Sequence, residues 1–307
     1  MRTFAPSRFA HLPAIKRAFS RRDLKRVCEA AESSFGEAYD MTKVYVDQPG
    51  PENFYYYKDN GSNILAVAHL DTVGHADDRR ARFVVTEGGG TVVFSRALDD
   101  RLGAYVILEL LPALGVTYDI LLTVGEESGQ STAAFFEPPA GKQYDYMVEF
   151  DRGGTDVVMY QYEDAETIAM VRNAGAHVGN GSFSDVSYLE HLGIKGFNWG
   201  VGYRDYHGPR AHAFLDDTFD MVARYLVFAD QQAGVYMPHY PDPTPNYGRG
   251  WGRVDNYRWD DDWPTPTDPS WYEADPVLPT DDIDAPDFDE YPSIDALERA
   301  MTDKLRD

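Results

Sequence analysis

Residues 63–72, NILAVAHLDT, carry an apolar run that ends abruptly on polar chemistry. Ile64 to Ala68 are apolar without alternation, and Asp59, Asn60 and Gly61 form a turn signal just before them. Such a run predicts a strand buried on both faces, which requires a sheet covered on both sides. The side-chain period of two then puts His69 and Asp71 on one side at the strand's carboxyl end. That rim is where open α/β sheets hold ligands. A histidine followed two residues later by a carboxylate suits a metal ligand and the group that orients it. Taken alone, the pair is also compatible with a strand that simply closes on polar residues.

The pattern returns twice. The run 119–124 (DILLTV) leads into Gly125-Glu126-Glu127-Ser128-Gly129, and 146–150 (YMVEF) leads into Asp151. Helical periodicity lies between and around these strands. Ser20 is a predicted N-cap with Asp23 in capping-box position, followed by Leu24, Val27, Cys28, Ala31 and Phe35 and closed by Gly36. Ala104, Val106, Ile107, Leu110 and Leu111 form an apolar helix face behind Asp99 and Asp100, acids that the helix dipole alone would favour there. Further helices are predicted over 164–174, 184–192 (stopped by Gly193) and 214–234. Further strands are predicted over 42–47, 53–58 and 196–201, with a hairpin of 82–86 and 91–95 around Gly88-Gly89-Gly90 and an edge or hairpin strand over 156–161. Residues 202–212 (GYRDYHGPRAH) form a predicted loop carrying His207 and His212. Strands alternating with helices predict an α/β fold: a single-domain three-layer sandwich with a mixed, mainly parallel sheet and helices on both faces.

The 307 residues carry a formal net charge of −23, which argues against a nucleic-acid partner for the chain as a whole. The charge is uneven. Residues 1–27 hold eight Lys or Arg and one Asp (net +7), whereas 238–290 hold fourteen acids and three Arg (net −11). The expected organisation is a basic arm over 1–19, a catalytic domain over 20–236, an acidic tail over 237–292 and a short amphipathic helix over 293–307. Residues 238–290 have ten of the nineteen prolines, so the tail is expected to be extended and largely disordered, yet it also has four of the five tryptophans, which offer a contact surface to a protein partner. The single cysteine, Cys28, excludes an internal disulfide and a thiolate-built metal site. No apolar run reaches the roughly 20 residues of a membrane span and no signal-peptide core is visible, so a cytoplasmic chain with no membrane partner is expected.

His69, Asp71, Asp99, Glu126, Glu127, Asp151 and His207 together make a set rich in carboxylates, with two histidines and no thiols, as a pair of nearby divalent ions requires. There is no P-loop, no HExxH and no G-x-S-x-G elbow. The succession AHLDT, ALDDR, GEESG, EFD and YH resembles the co-catalytic zinc exopeptidases, the superfamily of leucyl aminopeptidases, glutamate carboxypeptidases, aminoacylases and tetrahedral aminopeptidases. The resemblance spans roughly residues 40–235 and neither end of the chain.

The resemblance implies two divalent ions, zinc first and manganese or cobalt as alternatives. It implies His69 and Asp151 on one ion, Glu127 and His207 on the other, and Asp99 shared, with a cis peptide between Asp99 and Asp100. Asp71 would orient His69, and Glu126 would be the general base, passing a proton from the attacking water to the leaving amine. His207 and His212 both stand where the family has one histidine, and the GYRDYH context favours His207. Arg152, Arg204, Arg210 and His212 are candidates for holding substrate, although arginines beside so many acids also serve simply to neutralise them. The 28 positions from Asp71 to Asp99 and the 56 from Asp151 to His207 leave no room for an inserted lid domain, as in the leucyl aminopeptidase branch. The expected activity is hydrolysis of peptide or amide bonds in a small peptide or an N-acyl or aminoacyl substrate. The alternative is a non-catalytic interaction protein that retains the scaffold and acts through its tail.

Overall fold

The strand that closes on His69 lies in the middle of an eight-stranded sheet. The computed structural model of the chain describes residues 8–48, 50, 53–74, 79–86 and 88–241. The first strands are β1 (Thr42–Tyr45), β2 (Phe54–Lys58), β3 (Ile64–His69), β4 (Arg82–Val85), β5 (Thr91–Phe94) and β6 (Asp119–Thr123). They are followed by β7 (Tyr146–Glu149), β8 (Asp156–Val158), β9 (His177–Val178), β10 (Gly196–Trp199), β11 (Tyr203–Arg204) and β12 (His212–Phe214). Among the described residues the main sheet has the order β1-β2-β6-β3-β7-β10-β8-β9. Its four central strands are parallel, β6 to β3, β3 to β7 and β7 to β10, while β1, β2 and β8 join antiparallel. The fold is therefore α/β with a mixed, mainly parallel sheet, and the carboxyl ends of β3, β6 and β7 share one rim.

The helices are α1 (Arg8–Ala18), α2 (Arg21–Glu29), α3 (Phe35–Tyr39), α4 (Leu98–Tyr105), α5 (Leu111–Ala113), α6 (Ala165–Asn173) and α7 (Leu215–Gln231). A π-helical turn, Val106–Leu110, joins α4 to α5. Alternation along the strands decides which helix covers which face. Phe197 and Trp199 of β10 and Tyr146 of β7 meet Tyr225 and Phe228 of α7 through edge and tilted ring contacts. Such pairs add about 0.5–1.5 kcal/mol each beyond the area they bury. Glu149 and Asn198, one residue out of phase, face the opposite side and meet the 3-10 helix Asp185–Leu192. The second face is thus covered by 3-10 helices, this one and Thr132–Phe135, rather than by α-helices.

Several expectations are revised. The helix that begins at Ser20, whose hydroxyl accepts from Asp23 N–H, ends at Glu29 instead of Gly36. The Ala30 carbonyl accepts from the Arg79 side chain, and Ala30 turns extended. Gly36 closes no helix: an added Cβ would lie 2.7 Å from a carbon of the Tyr56 ring, so close packing is what favours glycine there. Residues 8–18, read as part of an arm, form α1, which packs on α7 and has Ile15 fully buried. Strand β8 is not an edge, since β9 lies outside it. The predicted hairpin joins β12 and β11 in a second, four-stranded sheet ordered β11-β12-β5-β4, so the loop carrying His207 and His212 is partly strand. The packed unit continues past 236: Met237 is buried, Pro238 bridges Ile194, and His239 meets Glu190 at 2.9 Å. The remainder of the predicted tail, with its tryptophans, and the predicted terminal helix lie outside the described residues. No described helix is long and apolar enough to cross a membrane.

Candidate metal centre

Four elements deliver the polar side chains to the carboxyl rim. Strand β3 ends on His69, β6 opens into the loop 124–131 with Glu126 and Glu127, β7 leads to Asp151, and Asp99 and Asp100 start α4. Asp99 (φ −89°, ψ 106°) and Asp100 (φ −107°, ψ 32°) are not helical, and the peptide bond between them is cis. His207 stands in the turn after β11 with φ 64°, the left-handed region that an L-residue such as histidine seldom occupies. That backbone aims its ring inward over the acids.

Asp99 lies between the two histidines. Its Oδ1 is 3.2 Å from His69 Nε2, and its Oδ2 is 3.2 Å from His207 Nε2. On the His69 side, Asp151 Oδ1 is 3.6 Å and Glu126 Oε2 is 3.9 Å from the same ring nitrogen. On the other side, Glu127 Oε2 is 2.8 Å from His207 Nε2. His69, Asp99 and Glu127 offer ligand atoms that all lie within 4.8 Å of one another.

The second layer differs in detail from expectation. His69 Nδ1 donates to the backbone carbonyl of Asp71 at 2.9 Å, while the Asp71 carboxylate is 3.6 Å away. The carboxylate instead accepts from Glu127 N–H at 3.0 Å, tying the glutamate loop to the end of β3. Tyr203 donates to Asp151 Oδ1 at 2.8 Å. Asn198 grips the backbone of Asp151 from both sides, accepting from its N–H at 3.0 Å and donating to its carbonyl at 2.7 Å.

Electrostatics follow from crowding acids away from water. Burial pushes the Glu126 carboxyl up to about 9, and Asp151, Asp185 and Asp99 add to it against the opposing His69. Burial and the neighbouring Asp99 raise Asp151 to about 7. Asp100 and Glu149, fully buried and near Asp151, are held well above the carboxylate range. Burial opposes charge on Asp99 too, but hydrogen bonds from His207 and His69 outweigh it and hold that carboxyl low. The hydrogen bonds to Asp99 and Glu127 raise His207 to about 10. Burial disfavours a charged His69, yet Asp151, Asp71 and Asp99 keep its value well above the ordinary one.

Divalent cations fit this donor set. Each side offers one imidazole nitrogen and carboxylate oxygens, one carboxylate faces both sides, and no thiolate is present. Glu127 Oε1, a buried acceptor, has no hydrogen-bond partner. Charge makes the same point: acids this deeply buried need positive partners, and two imidazoles are too few for them.

The remaining candidates lie elsewhere. His212 is on β12, its ring against Phe94 and its Nδ1 donating to the Arg210 carbonyl. The Arg152 fork is taken by Asp156 at 2.7 and 2.9 Å. Arg204 pairs with Asp217 at 3.0 Å and lies over the Phe214 ring, and Arg210 is exposed. Glu149, Asp185, Asn198 and Tyr203 were not singled out from the sequence. Glu149 had a legible signal, an acid inside the apolar strand 146–150 in phase with Asp151. The others had none.

Solved structures similar to this chain include the aminopeptidase PepT from Bacillus cereus, 12% identical with a TM-score of 0.49 over 68% of this chain and 97% of that one. A tripeptidase from Staphylococcus aureus is 12% identical with a TM-score of 0.48, over 71% and 97%. A TET aminopeptidase from a marine sediment archaeon, Thaumarchaeota archaeon, is 13% identical with a TM-score of 0.44, over 69% and 96%. No family model and no curated protein matches the sequence. The functional reading rests on the geometry of the rim.

Proposed function

We propose that this chain is a metal-dependent hydrolase of peptide or amide bonds, acting as an exopeptidase that takes substrates by a free amino end. The observation that carries the reading is Asp99, whose two oxygens each lie 3.2 Å from a different histidine. In this reading Asp99 would serve two cations, with His69 and Asp151 holding the first and His207 and Glu127 the second. Divalent ions held there, zinc first among them, would supply Lewis acidity to the scissile carbonyl, lower the pKa of the attacking water and favour the ionised form of Glu126.

The chain's own residues do the rest. Glu126 stands beside His69, farther from it than Asp99 or Asp151, and is the side chain at the rim left over from the two ligand sets. Its carboxylate takes a proton from water and returns it to the departing amine. Asp71 holds the glutamate loop through Glu127 N–H, and Tyr203 and Asn198 hold Asp151. The end preference follows from charge. Arg152 and Arg204 already engage Asp156 and Asp217, which leaves the exposed Arg210 as the arginine candidate for a substrate carboxylate, whereas the surplus of acids at the rim suits a substrate ammonium.

Glu126→Gln tests the mechanism. The variant is expected to keep its metal by elemental analysis and to lose about 10²- to 10⁴-fold in kcat on an aminoacyl or dipeptide substrate. Undiminished turnover would end the assignment of Glu126.

A further inference from the structure

Two residues at the head of the 3-10 helix Asp185–Leu192 connect both halves of the rim. Asp185 has no solvent exposure, and each of its oxygens accepts from a hydroxyl, one on Thr123 and one on Ser131. Thr123 is the last residue of β6, and Ser131 stands at the far end of the loop that carries Glu126 and Glu127, so one carboxylate pins both ends of that loop. Ser131 Oγ in turn accepts from Ala133 N–H at 3.0 Å. The same helix reaches the loop tip, where Tyr188 donates to the Gly129 carbonyl at 3.0 Å. One residue earlier, Ser184 donates to Glu149 and accepts from Asn198 Nδ2 at 3.2 Å, and Asn198 is the side chain that grips Asp151.

We propose that Ser184 and Asp185 are positioning residues that set the Glu126–Glu127 loop against Asp151 and so fix the spacing of the two cation positions. The inference rests on the two-cation reading above. A carboxylate accepts only, so Asp185 dictates the direction of both hydroxyls and holds the two ends of the loop in one arrangement rather than several. The two ligand loops come from different strands with β3 between them in the sheet order, and this corner ties both to a single helix.

The test is a titration of chelator-stripped protein with zinc against a chromophoric chelator, alongside melting curves. His207→Ala and Asp151→Ala identify which binding step belongs to which position. Asp185→Asn is expected to weaken the step lost in His207→Ala by about 10- to 100-fold and to leave the other within about threefold. Ser184→Ala should do the reverse, weakening the step lost in Asp151→Ala. Tyr188→Phe, a milder change at a partly exposed residue, should weaken the step lost in His207→Ala by a smaller factor and guards against loss of folding in Asp185→Asn. A lower melting point with both steps unchanged, or weakened equally, would overturn the inference and leave the two-cation reading standing. Failure of the unaltered chain to take up zinc would overturn both.

Discussion

The two rims of the sheet treat buried acid in opposite ways. At the amino-terminal rim, Asp119 is fully buried and its oxygens accept from Asn60 N–H, Ser62 N–H, the Tyr57 and Tyr144 hydroxyls and Lys142 Nζ, all within 3.1 Å. One acid meets five donors, one of them a cation. At the carboxyl rim, Asp71, Asp100, Glu127 and Glu149 each keep a buried oxygen with no partner, and Glu126 and Asp151 are pushed up in pKa by burial and by one another. A satisfied acid holds strands together, while a crowded and unsatisfied set is an arrangement that a bound cation completes.

Substitution at each rim should therefore fail in a different way. Asp99→Ala removes the carboxylate that faces both histidines, and it is expected to abolish stoichiometric metal uptake and with it turnover, while the folded chain survives. Elemental analysis and circular dichroism on the same sample check this. Retention of two ions per chain would remove the distinction between the rims. Asp119→Ala should do the reverse. It leaves the Asn60 and Ser62 N–H groups and the Tyr57 and Tyr144 hydroxyls without their acceptor, while Lys142 keeps Asp59 at 3.2 Å. Each donor left buried is expected to cost about 1–3 kcal/mol in chemical denaturation, with turnover per folded molecule unchanged.

A pH profile sharpens the contrast. Glu126 is raised from 4.5 to about 9 and His207 from 6.5 to about 10. Folded-state values above the unfolded ones mean that the folded chain holds protons the unfolded chain releases. That stabilisation is complete below the unfolded values and is lost as pH rises through the folded ones. Chelator-treated protein is thus expected to melt at a lower temperature near pH 9 than near pH 5, and added zinc should restore more at the higher pH because it replaces those protons. A chelator-treated melting point that is level over this range would show that the acids of the rim are not coupled as their burial implies.

The apolar runs made much of this legible in advance. Ile64–Ala68 are uniformly apolar, 119–124 and 146–150 are mostly so, and each run leads into ionisable residues, so both the parallel core of the sheet and the rim that carries the candidate site are written in order along the chain. His207 could be reached only through its neighbours in the sequence, because a turn residue has no periodicity, and its left-handed backbone becomes visible only in three dimensions. The hairpin half of the second sheet was legible, and the other half was not for a related reason: β11 and β12 span two and three residues, too few for alternation to register. Asp185 and Asn198 were hidden by type. A lone acid or amide in a mixed segment reads as surface, and only the packing of Asp185–Leu192 on the sheet places both beneath the site.

The smallest expected effect concerns Arg152, and it bears on which end of a substrate is read. Its Nε and Nη2 bond to both oxygens of Asp156, a partly exposed pair of a kind worth about 0.2–1 kcal/mol. Because that fork is occupied within the chain, Arg152→Gln is expected to change KM for an amino-terminal substrate by less than about twofold and to shift melting only slightly. A rise in KM of about tenfold or more, confined to substrates with a free carboxylate, would mean that Asp156 yields the guanidinium to the ligand. The rim would then be reading a carboxyl end, and the surplus of acids would serve the cations alone.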